Sequence, residues 1–264
     1  MDLRKSLFIL PNLFTLASLF CGLYAITLCI EATDPMQTGR ATVLIIFAML
    51  FDGFDGRVAR LTKTQSSFGL QMDSIVDVVS FGVAPAVIFY RWSLADAGIW
   101  GLVTCFVYLS CGAIRLSRFN VINSKGPSLK PKTPGKYITG LPIPTAAGFL
   151  VAFIIAANAI GSAINEAVHV IMGIMLGLGA LMVSTIKFRS FKNFRLNPFN
   201  VGVIVIGVAV SLLLWLRFKQ PALILIYLVG LYIAIGLAES LISLGKRAMD
   251  AGRGNRENSS GGAV

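Results

Sequence analysis

The chain has 264 residues, 56% of them hydrophobic and only 13% charged, with a formal net charge of +11. Soluble domains carry about 25% charged residues, so an ordinary soluble globule is excluded, and apolar runs that are continuous rather than alternating exclude a β-barrel. In such a chain the positive charge reads as basic cytoplasmic loops, not as a nucleic-acid-binding surface.

Eight stretches approach the roughly 20 apolar residues that a spanning helix requires. In chain order they are 12–30, 41–60, 70–90, 98–118, 143–162, 167–186, 199–216 and 221–242. Arg4 and Lys5 precede the first, which is too long for the apolar segment of a signal peptide and is read as a retained span. Residues 3–10 are expected to lie along the membrane interface before Pro11 and Asn12 turn the chain inward. The expected fold is therefore an all-α, polytopic transmembrane bundle of about eight spans. Residues 1–244 form its single membrane domain, and 245–264, polar and rich in Gly and Ser, form a disordered tail.

Orientation follows from the charges. With the N-terminus inside, only Arg40, Arg91, Arg217 and Lys219 of the 23 Lys and Arg residues fall outside. That asymmetry places both termini in the cytoplasm and the chain in the cell membrane. The longest loop, 119–142, is cytoplasmic and punctuated by Pro and Gly; Lys130, Lys132 and Lys136 in it suit anionic headgroups. Cys21, Cys29, Cys105 and Cys111 lie in apolar runs without metal-type spacing and read as buried small hydrophobes. Trp92, Trp100 and Trp215 fall near outer span ends, as an aromatic belt would. His169 lies toward the outer end of the sixth span, away from the acidic residues described next.

The chemistry-bearing stretch runs from Asp52 to Asp77. Asp52 and Asp55 are three apart at the cytoplasmic end of the second span, and Asp73 and Asp77 are four apart at the start of the third, so each pair shares a helix face. An aspartate deep in a membrane helix costs about 2.5–3.5 kcal/mol on the insertion scale. Four together repel unless a cation sits among them. Hard divalent ions such as Mg²⁺ or Mn²⁺ take carboxylate oxygens and suit pyrophosphate substrates. Gly53, Gly56, Ala59 and Gly69 leave room for a nucleotide against the backbone, Arg57 and Arg60 can donate to phosphate, and a carboxylate left free can serve as general base. The bland alternative pairs the aspartates with Arg57, Arg60 and Lys63 at the membrane surface.

The pattern Asp52, Asp55-Gly56, Ala59-Arg60, Gly69, Asp73, Asp77 resembles, at every spacing, the motif of the CDP-alcohol phosphotransferase family. The resemblance implies metal ligation by Asp52, Asp55 and Asp73, with Asp77 as general base and further ligand. It implies a wall for the CDP moiety made by Gly56, Ala59, Arg60 and Gly69. It also implies a six-helix core, so that the last two spans are an addition, and a homodimer. Arg115-Leu116-Ser117-Arg118-Phe119-Asn120 and Gly140-Leu141-Pro142-Ile143-Pro144 further resemble the branch of the family that uses CDP-diacylglycerol as donor and L-serine as acceptor. Arg115 and Arg118, three apart on one face, would then hold a serine carboxylate or a lipid phosphate. The same chemistry on choline, glycerol 3-phosphate or an inositol phosphate is the nearest alternative. A divalent-cation transporter is a remote one, because the acids lie toward one side and no internal repeat is visible.

Overall fold

A computed structural model describes residues 3–32, 35–62, 64, 66–124, 137–160, 167–189, 224, 227, 228 and 230–236. Seven α-helices make up most of it: α1 Leu3–Glu31, α2 Pro35–Leu61, α3 Ser67–Asp77, α4 Ala84–Trp92, α5 Ile99–Ser124, α6 Ile143–Ile160 and α7 Val168–Val183. A π-helical stretch, Val78–Val83, fuses α3 to α4, so the described helices form six rods. The six expected spans up to residue 186 each fall on one rod. The seventh, 199–216, and the tail lie outside the described residues; of the eighth, helical backbone is described at 230–236.

Among the described residues, three helical segments are long and apolar enough to cross a membrane: Leu10–Glu31, Ser67–Trp92 and Ile99–Ile122. The α6 and α7 rods are apolar but shorter, and α2 is long but carries Asp52, Asp55, Arg57 and Arg60 toward its end. Large apolar side chains face outward along α1 and α5, including Leu13, Phe20, Ile30, Ile99, Phe106 and Ile114. Exposed apolar surface on that scale suits lipid rather than water. The core combines large aromatic residues such as Phe81, Phe89 and Tyr108 with many small ones, among them Ala25, Ala41, Ala48, Ala146 and Ala147, which let the rods approach closely.

The third rod is central. It packs on α1, α2, α5 and α6. Gly22 of α1 crosses it so closely that a Cβ there would lie 2.7 Å from Ser80 Oγ. Ser80 Oγ donates to the Ser18 carbonyl at 3.1 Å, and the buried Tyr108 hydroxyl of α5 donates to the Phe81 carbonyl at 3.0 Å. Side chains thus pin the π-helical stretch from both sides. Such single π turns tend to mark functional segments, and this one begins directly after Asp77.

The rods alternate in direction. Arg91, at the end of α4, donates to the carbonyls of Cys29 and Ala32 at the end of α1 (3.2 and 2.8 Å). Arg118, near the end of α5, donates to Val183 and Ser184 at the end of α7 (3.0 and 3.2 Å). Both arginines therefore satisfy carbonyls that a helix end leaves without partners.

Three expectations need correction, and the all-α class stands with one short strand pair added. Helix α1 continues through Pro11 with no turn there; proline is tolerated in membrane helices because packing neighbours stabilise the interrupted backbone. The loop after the fourth span is shorter than expected, since α5 extends to Ser124. The fold is helical except that β1, Tyr137–Thr139, pairs antiparallel with β2, Lys187–Arg189. Gly140, with φ +76°, turns the chain from β1 toward α6, and a Cβ there would strike the Met182 carbonyl. Trp92 is buried edge-on against Phe89 and Phe153 instead of sitting in an aromatic belt, whereas Trp100 is exposed at the start of α5. The four cysteines are free thiols, three of them buried.

Candidate active site

The α2–α3 hairpin builds the site. Thr62 and Thr64 direct their amides to the carbonyls of Val58 and Ala59 (2.9 and 3.0 Å), closing α2 tightly. Ser66 then caps α3, its Oγ accepting from the Gly69 amide at 3.0 Å. This short connection folds the Asp52–Asp55 face of α2 onto the Asp73–Asp77 face of α3. Carboxylate oxygens of Asp52, Asp55 and Asp73 lie within 4.8 Å of one another. Asp77 lies one turn further along α3, 7% exposed, with its carboxylate at hydrogen-bonding range of Asp52. Its Oδ1 is buried without a hydrogen-bond partner.

A cavity of about 440 Å³ opens beside the carboxylates. Gly56 and Ala59 of α2 and Gly69 of α3 line it, together with Asp55 and Asp73, so three of the four residues expected to face a nucleotide share one wall. The fourth, Arg60, is exposed and turns its Nε to the Gly56 carbonyl at 2.7 Å. Lining groups that sequence reasoning passed over are Asn12 and Thr15 of α1 and Ser66 and Ser67 at the start of α3. Thr15 Oγ1 donates to Asp55 Oδ2 at 2.7 Å. Only the third dimension brings Thr15 to a residue 40 positions away.

Arg115 and Arg118 diverge in role. Arg118 serves the end of α7. Arg115 is 7% exposed, lies over the Phe119 ring at 5.7 Å, and is within electrostatic reach of Asp77. Its Nε is buried without a hydrogen-bond partner. Asn120, also overlooked from sequence as a side chain with a job, donates through Nδ2 to Ser74 Oγ at 2.8 Å, and Ser74 donates to the Leu70 carbonyl. That chain of bonds ties α5 to the helix bearing Asp73 and Asp77.

Three hard oxygen donors converging on one point, with a fourth carboxylate oxygen unpartnered beside them, fit a divalent cation of the Mg²⁺ or Mn²⁺ kind. The small-residue wall fits a bulky phosphate-bearing group lying against backbone.

The chain belongs to the CDP-alcohol phosphatidyltransferase family, which it matches over residues 8–184. It is 35% identical over 231 residues to a protein of Helicobacter pylori strain J99, covering 88% of this chain and 90% of that one. A Bacillus subtilis protein is 35% identical over 193 residues, 73% of this chain and 97% of its own length. A Methanocaldococcus jannaschii protein is 39% identical over 150 residues, 57% and 64% of the respective chains. All three relatives are named CDP-diacylglycerol–serine O-phosphatidyltransferase.

Proposed function

We propose that this chain is a membrane enzyme that transfers the phosphatidyl group of CDP-diacylglycerol to the hydroxyl of L-serine, giving phosphatidylserine and CMP. The observation that carries the reading is the convergence of the Asp52, Asp55 and Asp73 carboxylates beside a cavity walled by Gly56, Ala59 and Gly69. The relatives' shared name supports serine as the acceptor.

Asp52, Asp55 and Asp73, with Asp77 as a further ligand, hold the divalent ion, which when bound neutralises charge on the pyrophosphate oxygens. Gly56, Ala59 and Gly69 admit the cytidine nucleotide close to backbone, and Arg60, exposed and bonded to the Gly56 carbonyl, reaches for its phosphates. Asp77 takes the proton of the serine hydroxyl. The serine oxygen bonds to the phosphorus that carries diacylglycerol, the pyrophosphate P–O bond on that phosphorus breaks, and CMP departs with the bonding electrons. Arg115, buried with a free Nε near Asp77, receives the serine carboxylate. Arg118 holds the α5–α7 junction that positions it, and a direct contact with lipid phosphate is its secondary role.

The enzyme is read as a homodimer in the cell membrane. Its proposed topology is an eight-span membrane domain over 1–244 followed by a tail at 245–264, with cytoplasmic termini and an active site facing the cytoplasm.

The test is an acceptor panel. Purified, detergent-solubilised protein receives CDP-diacylglycerol, Mn²⁺ or Mg²⁺, and serine, choline, glycerol 3-phosphate or inositol phosphate, with CMP release as readout. Release with serine alone is expected. Release with another acceptor overturns the choice of serine and keeps the carboxylate chemistry. No release with any of them overturns the reading.

A further inference from the structure

Thr15 is the one α1 side chain described as bonded to an aspartate of the cluster, and no part of the family motif contains it. It is 4% exposed and lines the cavity. A hydroxyl carries a single hydrogen. Oγ1 lies 2.7 Å from Asp55 Oδ2 and 3.2 Å from the Pro11 carbonyl oxygen, and the shorter, charge-assisted bond takes that hydrogen. Asp55 is therefore oriented by this bond, with Oδ2 turned to Thr15.

We propose that Thr15 is a positioning residue that makes Asp55 a one-oxygen metal ligand and thereby favours a small divalent cation over Ca²⁺. The inference rests on the metal reading of the carboxylate cluster. A carboxylate that chelates through both oxygens must turn both toward the ion. With Oδ2 engaged by Thr15, Oδ1 is the oxygen left free. A small ion such as Mg²⁺ demands near-octahedral geometry, which single oxygens meet more readily than a chelating carboxylate, whereas Ca²⁺ takes six to eight oxygens in flexible geometry and accepts bidentate carboxylates. Groups that orient a ligand in this way typically change metal affinity about 10- to 100-fold.

The test uses the full chain in detergent, without substrate. Free Mn²⁺ is followed by electron paramagnetic resonance, and Ca²⁺ by competition against it. Thr15→Val is expected to raise the Mn²⁺ dissociation constant about tenfold and the Ca²⁺ constant by clearly less, narrowing the preference. Thr15→Ser, which restores the hydroxyl, is expected to keep both near the wild-type values. Unchanged Mn²⁺ affinity in Thr15→Val overturns the proposal, as does an equal loss for both ions that serine does not rescue. Either result leaves the functional reading standing if Asp52→Asn abolishes Mn²⁺ binding. Wild-type Mn²⁺ binding in Asp52→Asn would instead remove the metal site itself, and both readings with it.

Discussion

At the residue scale the four aspartates divide by position. Asp52, Asp55 and Asp73 share one 4.8 Å neighbourhood, while Asp77 sits deeper with Oδ1 unpartnered and Arg115 within electrostatic reach. A ligand and a base should fail differently when changed to asparagine. Asp77→Asn is expected to lower turnover by about 10²- to 10⁴-fold, the usual contribution of a positioned base, while nucleotide binding persists. Asp52→Asn is expected to weaken metal-dependent CDP binding itself. Calorimetric CDP titration in the presence of Mn²⁺, alongside single-turnover CMP release, separates the two. Equal loss of nucleotide affinity in both variants would make Asp77 chiefly a ligand. The aspartates and their small neighbours were legible in the sequence because i, i+3 and i, i+4 spacing fixes a helix face. Thr15 and the Asn120–Ser74 bond were not, because each acts across a contact between segments that local periodicity does not encode; Ser66 acts locally as the N-cap of α3, a signal that a serine just ahead of the helix did carry.

At the element scale, what matters is how the third rod is held. Its apolar run, 70–90, was readable as one span, but the π-helical stretch within it was not: Gly82 in Val78–Val83 and Pro85 just after it mark a break in regularity without specifying a π turn, and the stretch is held by partners from other helices. Tyr108 supplies one of them. Tyr108→Phe keeps the ring that fills the core and deletes only the hydroxyl bonded to the Phe81 carbonyl. A buried acceptor left unsatisfied costs about 1–3 kcal/mol, and the membrane interior offers no water in exchange. The variant is expected to have a lower thermal midpoint in detergent and reduced turnover, since the stretch begins directly after Asp77, while Mn²⁺ affinity stays near wild type. Thermal unfolding followed by fluorescence, with a Mn²⁺ titration, checks both halves; an unchanged midpoint would mean the hydroxyl contributes nothing to holding the rod. The β1–β2 pairing escaped the sequence for a related reason. Three-residue strands 50 positions apart in sequence carry too little local pattern, and only Gly140 marks the turn that follows.

At the scale of the whole molecule, the alternation of six rods places the carboxylate cluster, the Arg118 contact and the start of α6 at one end, and Arg91 with the end of α1 at the other. The orientation we propose from the skewed basic residues puts the first end in the cytoplasm. Arg91, one of four cations on the opposite side, is accounted for locally, because it satisfies the carbonyls of Cys29 and Ala32. Whether two further spans follow decides where the tail ends: an even number returns residue 264 to the cytoplasm, an odd number leaves it outside. Cysteine labelling reads this directly. The native thiols at Cys21, Cys29 and Cys105 are buried and Cys111 is partly covered, so they give little background with a membrane-impermeant maleimide. Asp96 is exposed in the short connection between α4 and α5. Asp96→Cys is expected to label on intact cells, and Ser259→Cys only after permeabilisation. Labelling of both on intact cells would keep the orientation of the first four rods and reduce the count to an odd number. Reversal of the two would invert the whole bundle and put the carboxylate cluster on the outer face.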